Sequence, residues 1–137
     1  MKYLSHYTEQ AQNELLDSMG AFFAFSDEQF KKGCEKVGAT KENKVKSFGA
    51  GGYVLSKNID ALIEGLNTIH EKGIKKDLEE NGKHNIIMRE LGNYETQITM
   101  DTTQTIEALE GYNITKDEIN KVYKEDYFPL CVKNDWF

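Results

Sequence analysis

Gly20-Ala-Phe-Phe-Ala-Phe-Ser-Asp-Glu-Gln-Phe-Lys-Lys-Gly-Cys-Glu-Lys-Val-Gly38 contains the most hydrophobic run of the chain, with Phe22, Phe23 and Phe25 inside four positions. Ser26 follows with the makings of an N-cap. Its hydroxyl can accept the amide of Gln29, and Gln29 can reach back to the amide of Ser26. Phe25 and Phe30 have the spacing of a hydrophobic staple across that cap. Asp27 and Glu28 place negative charge in the first turn, where the helix dipole favours it, and Gly38 supplies a left-handed stop. The stretch therefore predicts an apolar extended segment running into a short helix, with Phe30, Cys34 and Val37 on the inward face.

Outward from it, residues 8–19 predict a first helix, with Ala11, Leu15, Leu16 and Met19 at helical spacing and Gly20 as the stop. Residues 45–56 read as two short strands about the turn Gly49-Ala50-Gly51-Gly52. Ser56 or Asn58 can cap a long helix carrying Ile59, Leu62, Ile63, Leu66, Ile69 and His70 on one face, which Gly73 ends or interrupts. After the Asn81-Gly82 turn, His84, Ile87, Met88 and Leu91 mark a short amphipathic helix stopped by Gly92. Tyr94, Thr96, Ile98 and Met100 alternate with polar neighbours, the period of a half-buried strand. Asp101 with Gln104 opens another helix, closed by Gly111. Thr115 with Glu118 is a capping box stapled by Ile114 and Ile119, and Phe128 before Pro129 ends the helix it starts. These elements predict an α+β fold, five or six helices on a small antiparallel sheet of three or four strands. The length of 137 residues, with no linker or repeat, predicts a single globular domain over 1–137.

Composition narrows the function classes. Apolar residues make up 39% and charged residues 29%, the balance of a globular chain rather than a disordered one. No apolar run spans a bilayer and the first residues lack a signal-peptide pattern, so a cytoplasmic location, in a bacterial host cell, is expected. Cys34 and Cys131 are too few for a disulfide framework. Only Arg89 among 17 basic residues is an arginine and the net charge is −6, which argues against direct nucleic-acid binding. The charge is uneven: residues 1–30 carry one lysine against five acids, 31–88 eleven lysines against eight acids, and 89–137 five bases against ten acids.

Motifs with chemistry are few. Gly49, Gly51 and Gly52 suggest a backbone cradle for phosphate, with Tyr53 to stack a base and Lys46 and Lys57 near the phosphates. Yet Tyr53-Val54-Leu55 is strand-like and no Gly-Lys-Ser/Thr follows, so a tight hairpin is the competing expectation. His6, His70 and His84 have no metal-ligand spacing with one another or with a cysteine; neither metal nor cofactor is expected. His70 and His84 fall on apolar helix faces, as core or boundary histidines do. Cys34 is expected to be a small hydrophobe, and no catalytic constellation stands out. The apolar end, with Phe128, Leu130, Val132 and Trp136, either folds back on the core or anchors a partner, a second copy included.

Gly-Ala-Phe-Phe-Ala-Phe-Ser-Asp-Glu-Gln-Phe (20–30), Gly-Ala-Gly-Gly-Tyr (49–53) and Asn93-Tyr94-Glu95 resemble a family of small uncharacterised proteins carried by phages, plasmids and other mobile elements of gut and related bacteria. The resemblance assigns no site. It implies a gene class, in which small acidic proteins inhibit host defence, anti-CRISPR proteins among them, by occupying a surface of a larger nuclease. The expected function is thus a non-enzymatic phage or mobile-element protein that binds a larger host protein, itself a nucleic-acid-binding nuclease. Its contacts would be the acids Glu107, Glu110, Asp117 and Glu118 with Trp136 and Phe137, since carboxylates can replace phosphates against a basic channel. The alternative is a small-ligand or nucleotide-binding module at Lys46, Gly49, Gly51, Gly52, Tyr53 and Lys57.

Overall fold

Ser26 caps a helix, α2 (Asp27–Val37), from an extended backbone, its Oγ accepting the Gln29 N–H at 3.2 Å. Gln29 returns the bond one residue earlier than expected: its Oε1 accepts the N–H of Phe25 at 2.8 Å. Gly38 ends the helix at φ 72°, with Ala39 N–H donating to Cys34 O at 2.9 Å and Gly38 N–H to Glu35 O at 3.2 Å. That pair of bonds is the Schellman arrangement, which takes up carbonyls the helix cannot satisfy internally. The staple is not built from Phe25, which is 77% exposed. Phe30 instead meets Tyr53 edge-on at 5.0 Å and Phe22 at 6.3 Å between centroids. Gly33 is the buried position of α2, because a Cβ there would come within 2.2 Å of the Phe22 ring.

The computed structural model containing these elements describes residues 2–137, and they form two compact units. The first, Ser5–His70, holds α1 (Ser5–Ser18), α2 and a three-stranded antiparallel sheet of β1 (Phe22–Phe23), β2 (Val45–Gly49) and β3 (Gly52–Leu55) in the order β1-β3-β2. The expected hairpin about the glycine turn is present, with Ser47 opposite Tyr53 and Phe22 opposite Tyr53 on the other side. Ala50 and Gly51 sit at φ 51° and 79°, the positive values a two-residue hairpin turn requires. Val54, Ile59 and Leu62 form the core of this unit, packed by Leu15, Leu16, Met19 and Phe48. Neither Ser56 nor Asn58 caps with its side chain; Ser56–Asn58 is a 3₁₀ turn, and Asn58 Nδ2 donates to Met19 O at 3.3 Å.

α3 (Ile59–Asn81) is continuous for 23 residues. It contributes residues 59–70 to the first unit and 71–81 to the second. Gly73 was a predicted break, but the helix runs through it. A mid-helix glycine costs only about 1 kcal/mol, and here it lies buried beside Ile74, itself a core residue.

The second unit, residues 2–4 with Glu71–Phe137, adds α4 (Lys83–Asn93), α5 (Thr96–Thr99), α6 (Thr103–Ala108), α7 (Lys116–Val122) and α8 (Phe128–Asn134). Its core gathers Ile74, Ile86, Ile87, Leu91, Leu109, Tyr112, Ile114, Ile119, Tyr127 and Cys131. Two expectations fail here. The strand predicted over Tyr94 to Met100 is a single helical turn, α5, entered by Glu95 at φ 49° and left by Met100 at φ 56°. The apolar alternation is real but points outward: Ile98 and Met100 are exposed, and Thr96 is buried with its hydroxyl donating to Leu91 O at 2.9 Å. Phe128-Pro129 does not end the last helix either. A π-helical stretch, Tyr123–Tyr127, joins α7 to α8, and Phe128 N–H bonds back five residues to Tyr123 O. Proline lacks an amide, so it is tolerated as the chain leaves that widened turn and α8 begins. The Thr115 cap holds as predicted, its Oγ accepting Glu118 N–H at 3.2 Å, with Ile114 and Ile119 buried behind it.

The architecture is α+β, mainly helical with a small antiparallel sheet. Among the described residues there are seven helices when α7, the π stretch and α8 are taken as one, against the five or six expected. The fourth strand is absent because the segment predicted for it is α5.

Candidate functional site

The densest chemistry lies in the second unit, on residues that α3 and α4 bring face to face. Asp77 is the polar member of the inward stripe of α3 and is fully buried. Arg89, on α4, meets it with two parallel bonds, Nη1 to Oδ1 at 2.9 Å and Nη2 to Oδ2 at 3.0 Å. Tyr112 Oη donates to Asp77 Oδ2 at 2.6 Å and Asn81 Nδ2 to Oδ1 at 2.7 Å. Arg89 Nε donates to Glu90 Oε1 at 2.8 Å, and Nη1 donates to the carbonyl of Lys2 at 3.0 Å. The guanidinium carbon lies 5.6 Å over the Tyr3 ring, within cation–π range.

Buried charge is stable only when paired and hydrogen-bonded, and this cluster meets both conditions. Burial on its own would raise the Asp77 pKa. The donors Arg89, Tyr112 and Asn81 outweigh it and hold the carboxyl below its ordinary value. Arg89 is driven the other way: burial opposes its charge, but Asp77 and Glu90 raise its pKa beyond that of free arginine. Burial and the Asp77 charge push the Tyr112 phenol up. Two carboxylates, those of Asp77 and Glu90, face the one guanidinium, a formal charge of −1.

Beside the cluster opens a cleft of about 540 Å³, lined by Tyr3, Asn85, Met88, Arg89, Gly92, Asn93, Gln97, Tyr127, Leu130 and Trp136. Tyr127 donates its phenolic proton to Gln97 Oε1, and Gln97 Nε2 donates to Trp136 O at 3.3 Å. Burial, with the thiol of Cys131 close by, pushes the Tyr127 phenol above its ordinary value. These groups can bind and orient a guest. They include no nucleophile beside a base, and no group of three or more His, Cys, Asp or Glu side chains able to hold a metal is found among the described residues.

The sequence-selected residues fall elsewhere, apart from Trp136. Glu107, Glu110 and Asp117 are exposed on the second unit. Glu118 is half-buried and lies 3.2 Å from Lys83 Nζ. Trp136 and Phe137 are 49% and 59% exposed. In the first unit, Gly49, Gly51 and Gly52 belong to the hairpin. A Cβ on Gly51 would come within 2.4 Å of the Phe25 ring, and one on Gly52 within 2.4 Å of Phe48. Tyr53 stacks on Phe22 at 5.6 Å, while Lys46 and Lys57 are exposed. The hollow beside Tyr53, about 440 Å³, is rimmed by Ser26 and Asp27 rather than by lysines.

His70 and His84 are surface residues, contrary to expectation. His84 Nε2 lies 3.1 Å from Asp126 Oδ2, a partner on the π stretch that draws the ring off the apolar face. Cys131 is fully buried in the core, and Cys34 is half-buried. Sequence reasoning missed Asp77 and Tyr112. The available signal was a carboxylate at helical spacing with Ile74 and Leu78, in a chain with one arginine to neutralise it.

Among the described residues no helix is long and apolar enough to cross a membrane. No curated protein and no solved structure matches the chain. The model of a family of unknown function, DUF7659, matches residues 4–126, and the chain belongs to that family.

Proposed function

We propose that this chain is a non-enzymatic binding protein that docks through its second unit on a basic surface of a larger host protein, as an anti-defence inhibitor of the anti-CRISPR kind would. The observation that carries the reading is the C-terminal end, where exposed rings sit on a fixed backbone. Trp136 N–H donates to Cys131 O at 3.1 Å, its carbonyl accepts from Gln97, and Phe137 meets Phe128 edge-on at 5.7 Å. Aromatic side chains presented without ordering cost are the usual anchors of protein interfaces. Glu107, Glu110 and Asp117 add exposed negative charge on the same unit. A basic partner would be steered by that charge and held by the rings. The phage or mobile-element origin rests on the resemblance of residues 20–30 and 49–53.

The test is capture from a lysate of bacteria carrying defence nucleases, followed by a DNA-cleavage assay with the captured nuclease. Wild-type protein should retain a nuclease and block cleavage stoichiometrically. Trp136→Ala should weaken retention about 30-fold, on the scale of an interface hot spot near 2 kcal/mol. Glu107→Lys with Asp117→Lys should slow association and flatten its dependence on salt. Equal retention by wild type and all variants would reject this surface.

A further inference from the structure

We infer that the cleft beside Arg89 is a binding site for a small, flat, uncharged heteroaromatic molecule of the nucleobase or nucleoside class. Three features of the wall carry this. First, Tyr3 and Trp136 supply exposed aromatic surface, with Tyr127, Met88 and Leu130 as apolar filling. Flat π systems stack on such rings with about 1–3 kcal/mol per base. Second, the polar groups form a mixed donor and acceptor set. Arg89 commits four of its five N–H groups, to Asp77 twice, Glu90 and Lys2, so the Asn85 and Asn93 amides carry the recognition. Asn85 donates to Asn81 O and Asn93 to Glu90 Oε2, and the amide oxygens of both have no partner among the described residues. Alternating donors and acceptors match the edge of a base. Third, the electrostatics select against a phosphate. Among the described residues no lysine lines the cleft, and the one lining cation, Arg89, faces both Asp77 and Glu90. An anion would gain no attraction there, whereas a neutral ring loses little by leaving water.

The volume of about 540 Å³ lies within the range of small-molecule sites, and the Asp77–Arg89–Glu90 network fixes the polar side before any ligand arrives. The cleft shares Trp136 with the proposed partner surface but takes its polar groups from other residues. The acids Glu107 and Asp117 are no part of the cleft lining.

Trp136 is the only tryptophan of the chain, so its fluorescence reports on the cleft directly. The full-length protein is titrated with adenosine, guanosine, cytidine and uridine, with their 5′-monophosphates, and with a single-stranded oligonucleotide. At least one nucleoside should give a saturable change in emission. Its monophosphate should bind at least tenfold more weakly, and the oligonucleotide should not bind. Asn93→Leu and Asn85→Leu should each weaken the nucleoside about tenfold, while Glu107→Lys leaves it unchanged. Circular dichroism of each variant confirms that the helices are retained. No response to any nucleoside, equal binding by the leucine variants, or tighter binding of the monophosphates would overturn the assignment. Loss of partner capture in Glu107→Lys with intact nucleoside binding would separate this site from the partner surface.

Discussion

Asp77 accepts four hydrogen bonds from Arg89, Tyr112 and Asn81 inside the second unit. Breaking one partner of a buried ion pair leaves the other charged and unpaired, so Arg89→Ala should lower unfolding stability by about 3–5 kcal/mol. Urea unfolding followed by circular dichroism measures it, and a loss under 1 kcal/mol would mean that the pair is solvated. Asp77 also predicts an acid limb. Its carboxyl is held below the ordinary aspartate value of 3.8, so the folded state binds fewer protons than the unfolded state near that pH. The stability it contributes is complete above that value and is lost as pH falls through the lower folded-state value. Asp77→Asn should flatten the stability profile below about pH 4 relative to wild type. The residue was legible as an oddity of sequence, but its partners were not. Arg89 is twelve residues away and Tyr112 thirty-five, and pairing at that distance follows from packing rather than from periodicity.

Within elements, local rules fared best where both ends of a helix carried their own signals. α2 has the predicted Ser26 cap and Gly38 stop because each bond spans only a few residues. Ser26→Ala should therefore cost about 1 kcal/mol in urea unfolding. Gly33→Ala should cost more, although alanine is the better helix former, because its methyl group would meet the Phe22 ring. A stabilised Gly33→Ala variant would show that Phe22 moves aside freely. Local rules failed at Tyr94 to Met100. An alternating pattern makes a strand only where a neighbouring strand completes the ladder; here Met100 N–H instead bonds to Thr96 O at 2.8 Å, closing a helical turn. They failed again at Pro129, since a π register upstream removes the need for the missing amide.

Over the whole molecule, the end of the chain separates folding from binding. Cys131 is a core residue, so deleting 130–137 should unfold the second unit, whereas deleting 135–137 removes only exposed or rim residues. The shorter truncation should keep its helical circular dichroism and lose capture of the partner; unimpaired capture would place the anchor elsewhere. What the sequence by itself determined was the α+β class, most helix positions, the Gly49–Gly52 hairpin and the caps at Ser26 and Thr115. Each rests on interactions within a few residues or on a period that one element shows by itself. Only the tertiary structure decided that Asp77, Arg89 and Tyr112 share one buried network, that a cleft opens beside it, and that the chain end presents Trp136 on its wall. Those features join segments distant in the chain, and burial and charge pairing, which bring them together, leave no mark on local spacing.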